Sequence, residues 1–394
     1  MILETNRLIL RPWEDSDAES LYEYAKDEAV GPIAGWPPHT SVENSLWTIQ
    51  NVLKKPESYA VVLKEKGEVV GSISILTGEG SNMKLTDTEA EIGYWIGVPF
   101  WGKGLIPEAV KEILRHAFET YQYTTIWCGY FEGNIKSKRA QEKCGFHFHH
   151  IEKDIPWPLM NDIRTEYITC LTKEEWERGY RVVDLSTYYR KGVYTHFTKD
   201  CRCSTSITAS IDVTKLVNAS KQTNTKFYIN FLYALAKVLN SREDYRMQYL
   251  YQSDELIVYE KINPCHYIFH DDTETCTVVY TEFDYDYHQF YKNVEADIER
   301  AKNTREYGLD QGGNPNHFDA SYISWLSYDS LNVELPDGYP YYLPIINWGR
   351  YREENGTYKM PVSVRLNHAV ADGYLVANVL RKLEQVCHTD FIDK

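Results

Sequence analysis

Apolar and polar positions alternate with a period of two in several short stretches of the chain and recur every three to four residues in others. Leu8-Ile9-Leu10-Arg11-Pro12 predicts a strand ended by proline. Asp15-Ser16-Asp17 reads as a helix cap ahead of Leu21, Tyr22 and Ala25. Tyr59–Leu63 and Val69–Leu76 predict a hairpin around Lys66-Gly67-Glu68. Ala90–Val98, AEIGYWIGV, predicts a strand that runs into Pro99-Phe100-Trp101-Gly102-Lys103-Gly104. From Pro107 onward Val110, Ile113, Leu114 and Ala117 recur at helical spacing, and proline suits a first helical turn. Thr125–Tyr130 then reads as a strand and Ser137–Lys143 as a helix.

Thr172–Gly179, TKEEWERG, is a charged helical turn closed by glycine, and the domain boundary is expected there, with domains 1–175 and 176–394. From Val182 the pattern restarts. Ser206–Asp212, Glu255–Tyr259, Cys276–Thr281 and Lys359–Leu366 predict strands, and Phe227–Leu239 a helix. The last element puts Leu375, Val376, Val379, Leu380 and Leu383 on one helical face, with Asp372 as its N-cap. Both halves mix helices and strands without the strict alternation of a doubly wound sheet, so the fold class is α/β (α+β).

The length, 394 residues, fits two domains. With 43% hydrophobic and 25% charged residues the chain is neither disordered nor fibrous. Its formal charge of −15 argues against nucleic acid or an anionic membrane as partner, and suits a soluble protein able to handle cationic substrates. The apolar runs fall short of the ~20 residues a membrane span needs. MILETNRLILRPW carries charges where a signal peptide has its apolar core. Eight cysteines without a CxxC pair indicate neither a zinc site nor a disulfide framework, and the expected compartment is the cytoplasm. The 32 tyrosines read as amphipathic surface and pocket lining.

A strand, then Trp101-Gly102-Lys103-Gly104-Leu105, then a helix start is a physical device for holding a pyrophosphate, because glycines admit the ligand and unpaired N–H groups of the first helical turn face it. A plain tight turn explains a lone GxG equally well. Further on, however, stands Asn134-Ile-Lys-Ser137-Lys-Arg139-Ala-Gln141-Glu-Lys143-Cys-Gly145-Phe146. With LxLRPW, Gly35-Trp36-Pro37-Pro38, EIGYWI and WGKG, this resembles the GNAT acetyltransferases, in the branch that acetylates ribosomal-protein N-termini and related amines, over residues 1–175. The resemblance implies transfer from acetyl-CoA to an amine. Backbone amides of Trp101, Gly102, Lys103, Gly104 and Leu105 would hold the pyrophosphate, and Asn134 would bind near the pantetheine arm. Ser137 would protonate the leaving thiolate, since the tyrosine many GNAT enzymes carry is Gln141 here. The amine's base is not legible. Glu89 and Glu91 are candidates through a water relay, against the plain reading of exposed strand residues.

Near the C-terminus stands Leu366-Asn367-His368-Ala369-Val370-Ala371-Asp372-Gly373. A lone histidine is more often a satisfied core residue, but His368 falls between a strand and a capped helix, where a side chain can enter a cleft. The segment resembles the HHxxxDG motif of the trimeric, His-based chloramphenicol acetyltransferases. Gly179-Tyr180, Arg190, Lys226-Phe227-Tyr228, Tyr245-Arg246-Met247, Phe269-His270, and Ser321 through Trp325 to Asp329-Ser330 extend the likeness over residues 179–390. The resemblance implies a CoA-dependent acyltransferase fold following the GNAT fold. It gives His368 the role of general base toward an acceptor hydroxyl and Ser321 that of oxyanion donor. Arg190 and Asp372 would form a buried ion pair steadying the histidine's backbone. Asn347, standing for the family's threonine, and Tyr351 fall on the cofactor side. Asn367 stands where the family has its first histidine. The acceptor pocket would be lined by His196, Phe197, Cys201, Cys203 and Thr205, of which His196, Cys201 and Thr205 make it more polar or differently shaped than the family's, with Cys276 replacing another expected aromatic.

Other features are weaker. His270-Asp271-Asp272 is read as a strand end and not as a metal triplet, Cys201 and Cys203 as pocket-lining thiols, and Gly312–Asn316 as a loop. The expected protein is a bifunctional acetyl-CoA-dependent acetyltransferase without metal. Its second half O-acetylates chloramphenicol or a related small molecule, its first half N-acetylates an amine, and it forms a homotrimer through the C-terminal domain. The alternatives are a C-terminal half that is only a trimerisation scaffold or small-molecule sensor, and a GNAT half that is a passenger.

Overall fold

Leu8 and Leu10, both fully buried, share one face of the strand Leu8–Pro12, with Ile9 and Arg11 on the other. The computed structural model describes residues 1–309, 315–335 and 341–392, and the chain divides into two units, Met1–Gly179 and Tyr180–Lys394.

The first unit runs β1 (Leu3–Glu4), β2 (Leu8–Pro12), α1 (Ala18–Ala25), α2 (Gly31–Ala34), α3 (Val42–Thr48), β3 (Ser58–Leu63), β4 (Glu68–Leu76), β5 (Glu89–Ile96), α4 (Leu105–Glu119), β6 (Thr125–Phe131), α5 (Ile135–Glu142), β7 (His147–Trp157), β8 (Asp162–Thr172) and α6 (Lys173–Arg178). The strands form one sheet in the order β1-β2-β3-β4-β5-β6-β8-β7. Ala90, Ile92 and Ile96 of β5 pack with Val110, Ile113 and Leu114 of α4 on one face. On the other, Ala60, Val62 and Val69 pack with Trp13, Leu21 and Ile49. β5 and β6 pair in parallel while every other neighbouring pair of this sheet is antiparallel. Asp15–Asp17 forms a short 3-10 turn before α1, and Thr172 caps α6 with Glu175 reaching back to it.

The second unit runs β9 (Tyr180–Val182), α7 (Lys191–Lys199), β10 (Ser204–Asp212), α8 (Thr214–Gln222), α9 (Phe227–Leu239), β11 (Met247–Leu250), β12 (Glu255–Tyr259), β13 (Asn263–His270), β14 (Thr275–Tyr280), α10 (Tyr287–Lys302), β15 (His317–Ile323), β16 (Ile345–Gly349), β17 (Arg352–Glu354), β18 (Thr357–Asn367) and α11 (Gly373–Cys387). The main sheet is ordered β10-β18-β16-β15-β13-β14 with β17 on β18, and β11-β12-β9 form a second, small sheet. Period-two alternation divides the main sheet. Met360, Val362, Val364 and Leu366 of β18 enter a core with α9 and α11, while Ser363, Arg365 and Asn367 take the opposite face. Of the loop expected at 312–316, Gly312 to Asn314 lie outside the described residues.

Strands and helices expected from periodicity are present, shifted by one to three residues at several ends. The β7–β8 hairpin was not expected, because β7 is an edge strand with mostly exposed side chains, HFHHIEKDIPW, which lacks a buried alternating face. β16, IINWG, is buried along its whole length and so offers no alternation either.

Candidate active sites

In the first unit β5 and β6 are in register only at Glu89–Thr125, Ala90–Ile126 and Glu91–Trp127, and then part. The opening leads into a cavity of about 940 Å³ walled by Tyr94 and Ile96 of β5, Trp101 and Gly104 of the turn, and Asn134 and Ser137 of α5. Gly102 and Gly104 have φ of 76° and 75°, a conformation costly for any residue with a Cβ. Gly104 is the N-cap of α4, so the first turn of that helix, with Leu105, borders the cavity and offers amides that have no intrahelical acceptor. The Lys103 side chain turns to the Phe100 ring, 5.4 Å from its centroid. Lys136, Arg139 and Lys143 line the same cavity, a cationic wall suited to phosphates that the sequence reading did not single out.

Asn134 caps α5 by accepting the Ser137 N–H at 3.1 Å. The Ser137 hydroxyl lies 3.0 Å from the Tyr94 hydroxyl and accepts from Gln141 Nε2 at 3.1 Å, and Thr169 donates to Gln141 Oε1 at 2.8 Å. Gln141 is therefore a structural bracket for Ser137, and Tyr94, inside the EIGYWI motif, is the functional candidate the sequence reading missed. Burial pushes the Tyr94 phenol well above its ordinary value, so it stays protonated and able to donate.

The two carboxylates considered for the base separate here. Glu89 accepts from the Thr86 backbone N–H at 2.9 Å and from Trp127 Nε1 at 3.2 Å. Glu91 is buried, not exposed, holds the Ser81 hydroxyl at 2.6 Å, and is raised in pKa by its burial. On the same face lies Glu166 of β8, also buried, which takes Asn82 Nδ2 at 3.0 Å. Gly129 leaves room for it, since a Cβ there would overlap Glu166 Oε1. Burial first, then the neighbouring Glu91, lifts Glu166 to about 7. Glu166 was not legible beforehand, because only the register of β6 against β8 brings it beside the opening.

In the second unit His368 follows β18 in the turn before α11, and its backbone N–H bonds the Cys203 carbonyl at 3.0 Å. Its imidazole stacks on Phe197 of α7, centroids 3.8 Å apart and planes at 20°, and its buried Nδ1 has no hydrogen-bond partner among the described residues. His266 shows the contrast. It is fully buried, bonded to Tyr228 at 2.8 Å and Thr281 at 2.9 Å, and held down at about 3 by burial, a satisfied core histidine. Asp372 caps α11 through the Leu375 N–H at 3.1 Å and pairs with Arg190 Nη2 at 3.0 Å. The pair is less buried than the resemblance implied, because the Asp372 side chain stands at the helix start with 37% of its surface exposed.

Ser321 does not meet His368 within one chain. Ser321 is the register partner of Asn347, and Asn347 of Ser363, so the three form a row across the sheet. His368 lies five residues beyond Ser363, roughly 16 Å along the strand. Tyr351 lies against Phe227 and Tyr358, with ring centroids at 5.1 and 5.4 Å. Of the residues expected to line the acceptor pocket, Phe197 and Cys203 border a cavity of about 680 Å³. His196 turns outward to Asp200 at 3.1 Å, Cys201 is exposed, and Thr205 alternates onto the face opposite Ser204 and Ser206, so none of these three borders it. His270 ends β13 and bonds Thr277 at 2.8 Å, and among the described residues no cluster of His, Cys, Asp or Glu is placed to hold a metal.

A splayed parallel strand pair opening on a glycine-capped helix, and a histidine presented between a strand and a capped helix, are the candidate sites of the two units, and the family matches make the class that of acyl-transferring enzymes. Residues 178–384 match the family model "Chloramphenicol acetyltransferase" and residues 7–147 the model "Acetyltransferase (GNAT) domain". The chain is 35% identical over 213 residues to a chloramphenicol acetyltransferase of Vibrio anguillarum, covering 52% of this chain and 94% of the relative. It is 34% identical over 206 residues to one of Campylobacter coli, covering 52% and 96%. A solved chloramphenicol acetyltransferase aligns over 52% of this chain and 99% of its own, at 17% identity and a TM-score of 0.47. The chain belongs to the chloramphenicol acetyltransferase family through its second half and carries a GNAT acetyltransferase domain in its first. It is an acetyltransferase, and acetyl-CoA is the acetyl donor of both families. No helix of the described residues is long and apolar enough to cross a membrane.

Proposed function

We propose that the chain is bifunctional. Residues 176–394 acetylate a hydroxyl of a small molecule, chloramphenicol or a compound like it, and residues 1–175 acetylate an amine. The observation that carries the first half of this reading is the His368 imidazole, held face-on by Phe197 and free of the partners that satisfy His266. His368 takes the acceptor's hydroxyl proton as that oxygen attacks the thioester carbonyl, and returns it to the departing thiolate. Ser321 donates a hydrogen bond to the developing oxyanion. Because one chain leaves Ser321 and His368 far apart along the sheet, the complete site requires His368 of one copy and Ser321 of another, which favours a homotrimer. Asn347 and Tyr351 flank the cosubstrate.

In the first unit the amides around Gly102 to Leu105 receive the pyrophosphate, Asn134 the pantetheine arm, and Ser137, backed by Tyr94, protonates the thiolate. Glu166, coupled to Glu91, draws the amine proton through water. Eight free cysteines and a need for acetyl-CoA favour the cytoplasm.

The test is thiol release from acetyl-CoA with chloramphenicol, a polyamine, an aminoglycoside and an N-terminal peptide, using wild type and His368→Ala. The variant is expected to lose about 10²–10⁴ in the chloramphenicol-dependent rate while amine-dependent release persists. Hydroxyl acetylation that survives the substitution would remove His368 from the mechanism and leave the second half a scaffold or sensor.

A further inference from the structure

Arg365 of β18 is 7% exposed and lies on the polar face of the sheet. Its Nη2 donates to Ser204 Oγ at 2.6 Å, and its Nη1 is buried with no partner among the described residues. A guanidinium does not neutralise itself by losing a proton, so an uncompensated one in the interior is expensive. Arg365 also borders the cavity of about 680 Å³, together with Ser206, Asn367, Phe197 and Tyr342. Two carboxylates border that cavity, and each accepts from a neighbour in the wall and not from Arg365, Asp254 from the Tyr249 hydroxyl and Glu334 from Asn332 Nδ2 at 3.4 Å. Arg202, a second cation of the wall, donates through Nε to the Thr198 carbonyl at 3.1 Å and brings no negative charge. The cavity adjoins the base, since Asn367 precedes His368 and Phe197 is the ring on which His368 stacks.

We infer that this cavity is an anion subsite, in which the Arg365 guanidinium binds a carboxylate or phosphate group carried by the hydroxyl acceptor. The local field thus opposes the net charge of the chain, −15, which by itself pointed toward cationic substrates. The second unit would then select hydroxy compounds bearing an oxyanion, with the hydroxyl presented toward His368. A hydrogen bond to a charged group is the stronger kind, and a buried guanidinium already desolvated by the fold has less left to lose on binding. This inference rests on the reading of the second unit as a hydroxyl acetyltransferase, and the experiment separates the two.

The full chain is assayed for thiol release from acetyl-CoA with 4-(hydroxymethyl)benzoate, 4-(hydroxymethyl)phenyl phosphate and the neutral 4-methylbenzyl alcohol. Wild type is expected to prefer at least one anionic alcohol over the neutral one by roughly tenfold or more in kcat/KM. Arg365→Gln should collapse that ratio and Arg365→Lys should keep most of it, and the better anionic arm tells carboxylate from phosphate. Equal use of all three alcohols by wild type, or the same ratio in Arg365→Gln, overturns the subsite. If no alcohol is turned over, calorimetric titration with the two anionic compounds decides. Binding to wild type and His368→Ala that is lost in Arg365→Gln keeps the subsite and sinks the hydroxyl-transfer reading. Absence of binding to wild type sinks the subsite, as it would if a carboxylate of a second copy already occupied Arg365.

Discussion

Phe197 and His368, one on the first helix of the second unit and the other just before its last, lie ring on ring with centroids 3.8 Å apart. Arg190 at the start of α7, the helix whose last turn carries Phe197, pairs with Asp372 at the start of α11, a second link at 3.0 Å between the segments that carry these rings. The stack fixes the plane of the imidazole, which no hydrogen bond at Nδ1 does.

Phe197→Ala should therefore free the imidazole and lower kcat for the hydroxyl acceptor by about 10–100-fold, the scale of a catalytic group misplaced by an ångström. KM for acetyl-CoA should move little and Phe197→Tyr should recover most of the rate. Steady-state kinetics with both substrates varied checks this. An unchanged kcat in Phe197→Ala would show that the ring only fills space.

Asp372→Ala removes a helix cap and strands the Arg190 guanidinium. With the carboxylate 37% exposed, the expected loss is about 1–2 kcal/mol, dominated by the cap. Asp372→Asn retains an N-cap acceptor and should lose less. Urea midpoints of the three proteins at neutral pH, at constant m, measure the difference.

Glu166 couples rate and stability in opposite directions. Burial and Glu91 raise it to about 7, so amine acetylation should climb as pH rises through 7 and level off above. Glu91→Gln removes the like charge and should move that rise to lower pH, and Glu166→Gln should abolish it. For stability, the folded state holds the Glu166 proton more tightly than the unfolded chain at 4.5, so this group's contribution falls as pH rises from about 4.5 to about 7. Relative to Glu166→Gln, wild type should lose stability across that window. An amine rate independent of pH between 6 and 8 would exclude Glu166 as the base.

The elements that carry both sites were legible because their local signals are strong. The helix Phe227–Leu239 and the strand Glu255–Tyr259 match their apolar patterns residue for residue, and Asp372 caps the helix it was expected to cap. The glycine turn at residues 102–104 announced a helix N-terminus, and Asn134 and Ser137 border the same cavity as that turn. The residues around the cavity of about 680 Å³ were less legible. His196 and Thr205 sit close in sequence to Phe197 and Cys203, yet helical rotation and strand alternation turn them away from the cavity.

The sequence by itself determined the two folds and their order, the glycine turn before α4 and the histidine between a strand and a capped helix. Each of these depends on residues within a few positions of one another, whose spacing sets the local backbone. Only the tertiary structure decided that Glu166 stands beside Glu91, that Tyr94 backs Ser137, that Arg365 is buried with one edge unpaired, and that Ser321 and His368 occupy different levels of one sheet. These relations arise from strand register and from packing between elements distant in the chain. No local periodicity encodes them, because a shift of one residue in register would send the strand side chains among them, Glu91, Tyr94, Glu166, Ser321 and Arg365, to the other face.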